Sequence, residues 1–218
     1  MSSPTTGTLA SDPWEMALIH RLIRRGFEQA REFVLAPGAA ARAGAVAEYV
    51  EFHLDGLQAH HSSEDELIWP VLHERATLSD ALIRCMEEQH AGLHDAIETT
   101  RHELHAWVVT PTETGSESLA MALNTLADRL AEHLAEEERD IVPLIATHIT
   151  QSEWYHLGKV AFSKFTPQQR LTAMGEMLGA ANPTEAARML AGLPAPIKLI
   201  WRLFGRRRYQ RSIARASG

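Results

Sequence analysis

Along four stretches of the chain, apolar residues return every three or four positions, the spacing of one buried face on an α-helix. The first stretch carries Met16, His20, Ile23, Phe27, Ala30 and Val34. The second carries Val46, Val50, His53, Leu57, His60, Glu64, Leu67 or Ile68, and Val71. In the third the stripe is Ile83, Met86, His90, Leu93 with His94, Ile97, Leu104 and Val108. The fourth repeats Leu119, Leu123, Leu126, Leu130, His133, Glu137, Ile141 and Leu144. All four stripes are interrupted by histidine or glutamate where an apolar residue is expected.

Local signals bound these helices. Asp12-Pro13-Trp14-Glu15 reads as a helix opening, with Asp12 as N-cap, Pro13 at the first position and Glu15 reaching back. Ala36-Pro37-Gly38 ends the first helix, and the second begins in the Ala-rich run near residue 39. Pro70 bends or ends the second, because its ring clashes with the preceding turn. The third opens at Leu78-Ser79-Asp80, a loop occupies residues 110–115, and the fourth opens at Ser116. Four helices with short connections predict an all-α, up-down-up-down four-helix bundle over residues 12–147. Residues 150–218 read as a helical C-terminal extension. Thr150-Gln151-Ser152-Glu153, Thr166-Pro167-Gln168-Gln169 and Asn182-Pro183-Thr184-Glu185 each place a capping residue three before Glu or Gln. These open short helices lying against the bundle, and Leu193-Pro194-Ala195-Pro196 breaks the last from a basic tail.

One segment recurs. In both copies a histidine is followed four residues on by glutamate and ten residues on by proline. His60 and His133, Glu64 and Glu137, and Pro70 and Pro143 are each 73 residues apart. Residues four apart share a helix face, about 6 Å from one another along the axis. Each copy therefore aims an imidazole and a carboxylate at one point.

Composition narrows the setting. The net charge of −7 argues against nucleic-acid binding by the whole chain. The charge is uneven, with no acidic residue after Glu185 and eight basic ones. A single cysteine, Cys85, allows no internal disulfide, so a reducing cytoplasm is the expected location. The first residues lack the basic and apolar regions of a signal peptide, and no run of eighteen apolar residues would cross a membrane.

The inward stripes together offer His20, His60, Glu64, His90, His94, His133 and Glu137. Left unpaired in a core, such groups would cost about 1–3 kcal/mol each. A metal centre satisfies them at once. Mixed imidazole and carboxylate donors suit iron, manganese or zinc rather than calcium or magnesium. Seven donors exceed a tetrahedral zinc site and fit two octahedral ions sharing the carboxylates, with oxo, hydroxo or water completing the shells. Other candidates fall away. His61 points about 100° from His60 and is placed behind the ligands or at the surface. His53 is read as a core histidine, His102 and His105 as exposed, and Cys85, Trp69 and Trp107 as core fillers.

The series His20, His60-x-x-x-Glu64, His90-x-x-x-His94 and His133-x-x-x-Glu137 resembles the hemerythrin family, in its HHE-type cation-binding form. The Glu64-Asp65-x-x-x-Trp69-Pro70 flank resembles it too. The resemblance covers about two thirds of the chain. It implies a carboxylate-bridged, non-haem di-iron centre, oxo- or hydroxo-bridged, with His90, His94 and His133 on one iron, His20 and His60 on the other, and Glu64 and Glu137 bridging. The iron with two imidazoles is then the one with a vacant position. Oxygen-carrying members place the last carboxylate five residues after its histidine, which is Glu138 here; the stripe and the repeat favour Glu137. The implied partners are oxygen, nitric oxide or peroxide, for binding, for catalase-like breakdown of peroxide, or for an iron- or oxygen-responsive regulator. In the tail, Ile197, Ile200, Trp201 and Phe204 alternate with Lys198, Arg202 and Arg206–Arg208. That pattern allows a weak contact with a membrane surface, or packing of its apolar side on the acidic bundle.

Overall fold

The structure is a computed structural model that describes residues 10–218, without the side chains of Pro196 and Phe204. The polar composition of residues 1–11 predicts a loose start, and that stretch falls largely outside the described residues. Among these residues the chain is all-α and has no strand. Four long helices carry the four stripes: α1 (Trp14–Leu35), α2 (Ala43–Leu67), α4 (Asp80–Val109) and α5 (Glu113–Glu136). Helix α1 packs on α2 and α5, and α4 packs on the same two, so each long helix has two neighbours among the others. The short α3 (Trp69–Arg75) and α6 (Val142–His148) extend α2 and α5 beyond a break.

Both breaks follow the repeated segment. In the first copy Ile68 separates α2 from α3; in the second, Glu137–Ile141 forms a π-helical turn between α5 and α6. Pro70 and Pro143 stand just after these irregularities. A proline cannot donate to the carbonyl four residues back and crowds it, so the ladder must loosen there. Single π-turns are recurrent at functional sites because they re-aim the side chains they carry. Here the turn begins at Glu137.

Helix ends differ from the sequence reading in two places. Asp12 does not cap α1; Pro13 occupies that position without a side-chain cap, and Asp12 pairs with Arg188 at 2.6 Å instead. Glu15 accepts from the Trp154 indole at 3.0 Å rather than reaching back. Both acids are drawn off by the C-terminal extension, a competition invisible in a local pattern. Helix α5 opens at Glu113 rather than Ser116, because the Thr112 hydroxyl caps it by accepting from Gly115 at 3.1 Å. Cys85 is exposed, not a core filler. Trp69 and Trp107 are buried, and His102 and His105 are exposed.

The extension comprises α7 (Gln151–Ser163), α8 (Pro167–Ala180), α9 (Pro183–Gly192), α10 (Ala195–Ile200), a second π-turn (Trp201–Gly205) and α11 (Arg206–Ser217). Thr150, Asn182 and Thr166 each form a full capping box. Helices α7 and α11 pack on α2, and α8 packs on α1. The apolar side of α11 joins the bundle through Ile213 and Ala216. No described helix is long and apolar enough to cross a membrane.

The core is divided. One apolar cluster contains Ile23, Leu57, Leu93, Leu130 and Leu134; the other contains Met16, Ile68, Met86 and Ile141. On α1, α2 and α4, and along α5 and its π-turn, the chain passes from one cluster to the other across its polar residues. A polar layer thus lies between two oily ones.

Candidate metal centre

Each helix contributes its polar residues at the level where its stripe changes cluster. His20 comes from α1, His60, His61 and Glu64 from α2, His90 from α4, His133 from α5 and Glu137 from the π-turn. His20, Glu64 and Glu137 have no exposed surface, and His61, His90 and His133 have 5% or less. Two groups form. In one, nitrogens of His61, His90 and His133 lie within 4.8 Å of one another; in the other, ligand atoms of His20, His60 and Glu137 do the same. Each carboxylate reaches both. Glu137 Oε2 is 3.3 Å from His20 Nε2 and 3.7 Å from His133 Nε2. Glu64 Oε1 is 3.3 Å from His60 Nδ1, and its Oε2 is 3.8 Å from His90 Nε2.

The inward atoms are unsatisfied. The Nε2 atoms of His20, His60, His61, His90 and His133, and both oxygens of Glu64 and Glu137, are buried without a hydrogen-bond partner. Buried polar atoms are nearly always paired. So many orphans in one place mark a position built for a bound cation, and the nitrogen and oxygen donors fit one.

Outer atoms, in contrast, are held. His90 donates from Nδ1 to Asp65 at 2.6 Å, and Asp65 also accepts from the Trp69 indole at 2.8 Å. His133 donates from Nδ1 to the Gln89 amide oxygen at 2.9 Å, and Gln89 donates to Glu136 at 2.7 Å. His20 donates from Nδ1 to Glu138 at 2.9 Å, and Arg24 donates to the same oxygen at 2.8 Å. Fixing the proton on Nδ1 leaves the Nε2 lone pair free and pointing inward, the arrangement found behind metal-bound imidazoles.

Protonation follows the same division. Burial lowers His60 to about 3 and His133 to about 4, and holds His61 well below the usual range, with neighbouring imidazoles adding to the effect on His61. These three are neutral donors at pH 7. Burial also acts to lower His20, but the closeness of the Glu137 carboxylate and the hydrogen bond to Glu138 outweigh it and leave the pKa raised. Burial and the nearby Glu137 push Glu64 well above the carboxylate range. Glu137 is pushed up by burial but held low by His20, His60 and His133. Two carboxylates thus share a dry space with only imidazoles, and no arginine or lysine, among them.

The seven-residue set read from the sequence is placed as follows. His20, His60, Glu64, His90, His133 and Glu137 converge. His94 does not; it is exposed, at the mouth of a cleft of about 400 Å³ that is also lined by Gln58, His61, Asp65, Glu87 and His90. Its place beside His90 and His133 is taken by His61, whose ring lies 4.2 Å from that of His90. One turn separates His94 from His90, and the four-residue step drifts by about 40° toward the outside of α4. His60 and His61 instead straddle the inward direction of α2, one facing each group. The adjacent pair His60-His61 was the only sequence signal for this. Glu138, the alternative last carboxylate, lies on the outer nitrogen of His20.

A family profile for the hemerythrin HHE cation-binding domain matches residues 14–145, well over half the chain. The chain belongs to the hemerythrin family. Within it, the match runs from the first residue of α1 into α6, so all seven converging residues fall inside the cation-binding region. The helical extension from α7 onward falls outside it. No curated protein and no solved structure shows significant similarity to this hemerythrin-family chain.

Proposed function

We propose that this chain is a non-haem di-iron protein that handles oxygen, nitric oxide or peroxide. Residues 12–147 would form the up-down-up-down four-helix bundle that holds the metal, and residues 150–218 an extension apart from it. The observation that carries the reading is the convergence of five imidazole nitrogens and four carboxylate oxygens, all buried and unpaired, from four helices. His61, His90 and His133 would hold one ion and His20 and His60 the other, with Glu64 and Glu137 between them because each touches both groups. A pair of irons so held supplies reversible binding or redox chemistry for small oxygen and nitrogen ligands. By donor count, the side of His20 and His60 would offer one imidazole fewer than that of His61, His90 and His133, since His61 replaces His94 without changing the number of imidazoles. Asp65, Gln89 and Glu138 orient the donors, and the two apolar clusters keep bulk water from the layer.

The cleft lined by Asp65, Glu87 and His94 lies beside His61 and His90, away from the His20 and His60 side, so it does not distinguish among these ligands.

Two substitutions test the assignment. His61→Ala should lose at least one of two irons per chain, measured by metal analysis, and His94→Ala should keep both. Retention of both irons by His61→Ala with loss in His94→Ala would restore the series first read from the sequence. An as-isolated protein with no iron and no azide-dependent absorption band after iron loading would refute the di-iron reading itself.

A further inference from the structure

The segment between α9 and α11 is built unlike the rest of the surface. Within seven residues, Ile197, Leu199, Ile200 and Leu203 are 41%, 57%, 46% and 53% exposed. Trp201 and Gly205 turn inward, and the close approach of the Trp201 ring leaves no room for a Cβ at Gly205. With the inward direction so fixed, the four aliphatic side chains are left on the solvent side. Helix α10 packs mainly on the π-turn that follows it, while α11 is pinned to the bundle. Arg42 donates to the Ala216 and Ser217 carbonyls, and Arg215 pairs with Glu48 at 3.2 Å.

The surrounding charge has one sign. Arg202, Arg206, Arg207, Arg208 and Arg211 are exposed, and none forms an ion pair among the described residues. The nearest acid before them in the sequence is Glu185, and none follows. Residues 1–185 carry the opposite excess, −15 against +8.

We propose that α10 and its π-turn form a docking face for an anionic membrane surface. Exposed aliphatics flanked by arginines and a lysine match both parts of such a surface. The cations meet lipid phosphates, and the aliphatic side chains enter the boundary with the acyl chains. Each arginine or lysine near an anionic leaflet strengthens binding about fivefold, and the attraction is screened by salt. A free phosphate would use the arginines but leave the aliphatic face in water. The segregation of charge also orients the molecule, since the acidic bundle is repelled from the lipid that attracts the tail. The contact is peripheral, because no described helix can span a bilayer. It does not depend on the metal content of the layer between α1, α2, α4 and α5.

The test uses the full chain and co-sedimentation with two kinds of vesicle, phosphatidylcholine alone and a mixture with about one phosphatidylglycerol in three. The protein should sediment with the mixed vesicles only and be released by high salt. The combined substitution Leu199→Ser, Ile200→Ser, Leu203→Ser should weaken binding at least about tenfold, and Arg206→Glu, Arg207→Glu, Arg208→Glu should abolish it. All these side chains are exposed, so unchanged iron content and circular dichroism would show that the bundle is intact. No sedimentation with the mixed vesicles, or equal sedimentation of the serine variant and the parent, would overturn the proposal. A concentration-dependent dimer in gel filtration, lost in the serine variant, would assign the face to a second copy instead.

Discussion

Two buried polar layers in this protein solve the same problem differently. In the seam between the bundle and its extension, Glu176 has no exposed surface and accepts from Arg25 at 2.9 Å. His53 Nε2 lies 4.0 Å away from its other oxygen, and Tyr209 stands beside it. Burial lowers His53 to about 3 and raises Glu176, while Arg25 pulls Glu176 back. The chain supplies its own cation there. Gly26 is shaped for the same layer, since a Cβ at that position would collide with the His53 ring. The layer of His20, His60, His61, Glu64, His90, His133 and Glu137 contains two carboxylates and no arginine or lysine. A buried carboxylate needs a positive partner. One layer has it as an arginine from the sequence, and the other offers only histidines and a set of orphaned donors suited to a bound cation.

The sharpest way to break this contrast is to remove the metal. With each ion bound about a thousandfold above its dissociation constant, the folded state gains about 4 kcal/mol per site. Metal-stripped protein should therefore unfold at lower denaturant than the loaded form, with the spread larger than any single substitution below. Identical unfolding midpoints would show that the two layers are equally self-sufficient.

Next in size is Arg25→Ala, which leaves Glu176 buried with its charge partner gone. A loss of about 3 kcal/mol is expected in denaturant unfolding, at unchanged iron content. If the variant instead lost iron, the two layers would be coupled rather than separate.

The smallest effect lies at the exposed edge of the same seam. Arg75 donates to Glu153 at 2.9 and 2.8 Å, tying α3 to α7, and this pair with Thr150 holds Glu153 at about 2. A carboxylate with a depressed pKa in the folded state stabilises above its unfolded value, and the contribution is lost as pH falls toward 2. The pair is partly open to solvent, which screens it, so Glu153→Gln should cost less than about 1 kcal/mol at pH 7 and nothing near pH 2. A cost that grows on acidification would contradict the ion pair as its source.

The four stripes, the three capping boxes and the two His-x-x-x-Glu segments were all legible as patterns, because helix periodicity and capping are local. So was the need for a metal, since a helix stripe that buries histidine and glutamate announces groups it cannot satisfy alone. Cys85 and Asp12 were misread for a local reason of another kind: their outcome depends on what lies opposite, and Asp12 met Arg188 from the far end of the chain. Seam residues Arg25, His53 and Glu176 carried no shared signal, being brought together from helices far apart in sequence.

The sequence by itself determined that polar residues would interrupt each stripe and that the chain after Glu185 would carry only basic charge. Only the tertiary structure decided which of two neighbours on a helix points at which partner. Periodicity fixes angles within one helix and is silent about its rotation against the next. That is why His61 enters the layer while His94 lies at its edge, why Glu138 backs His20, and why Leu199 and Leu203 face outward.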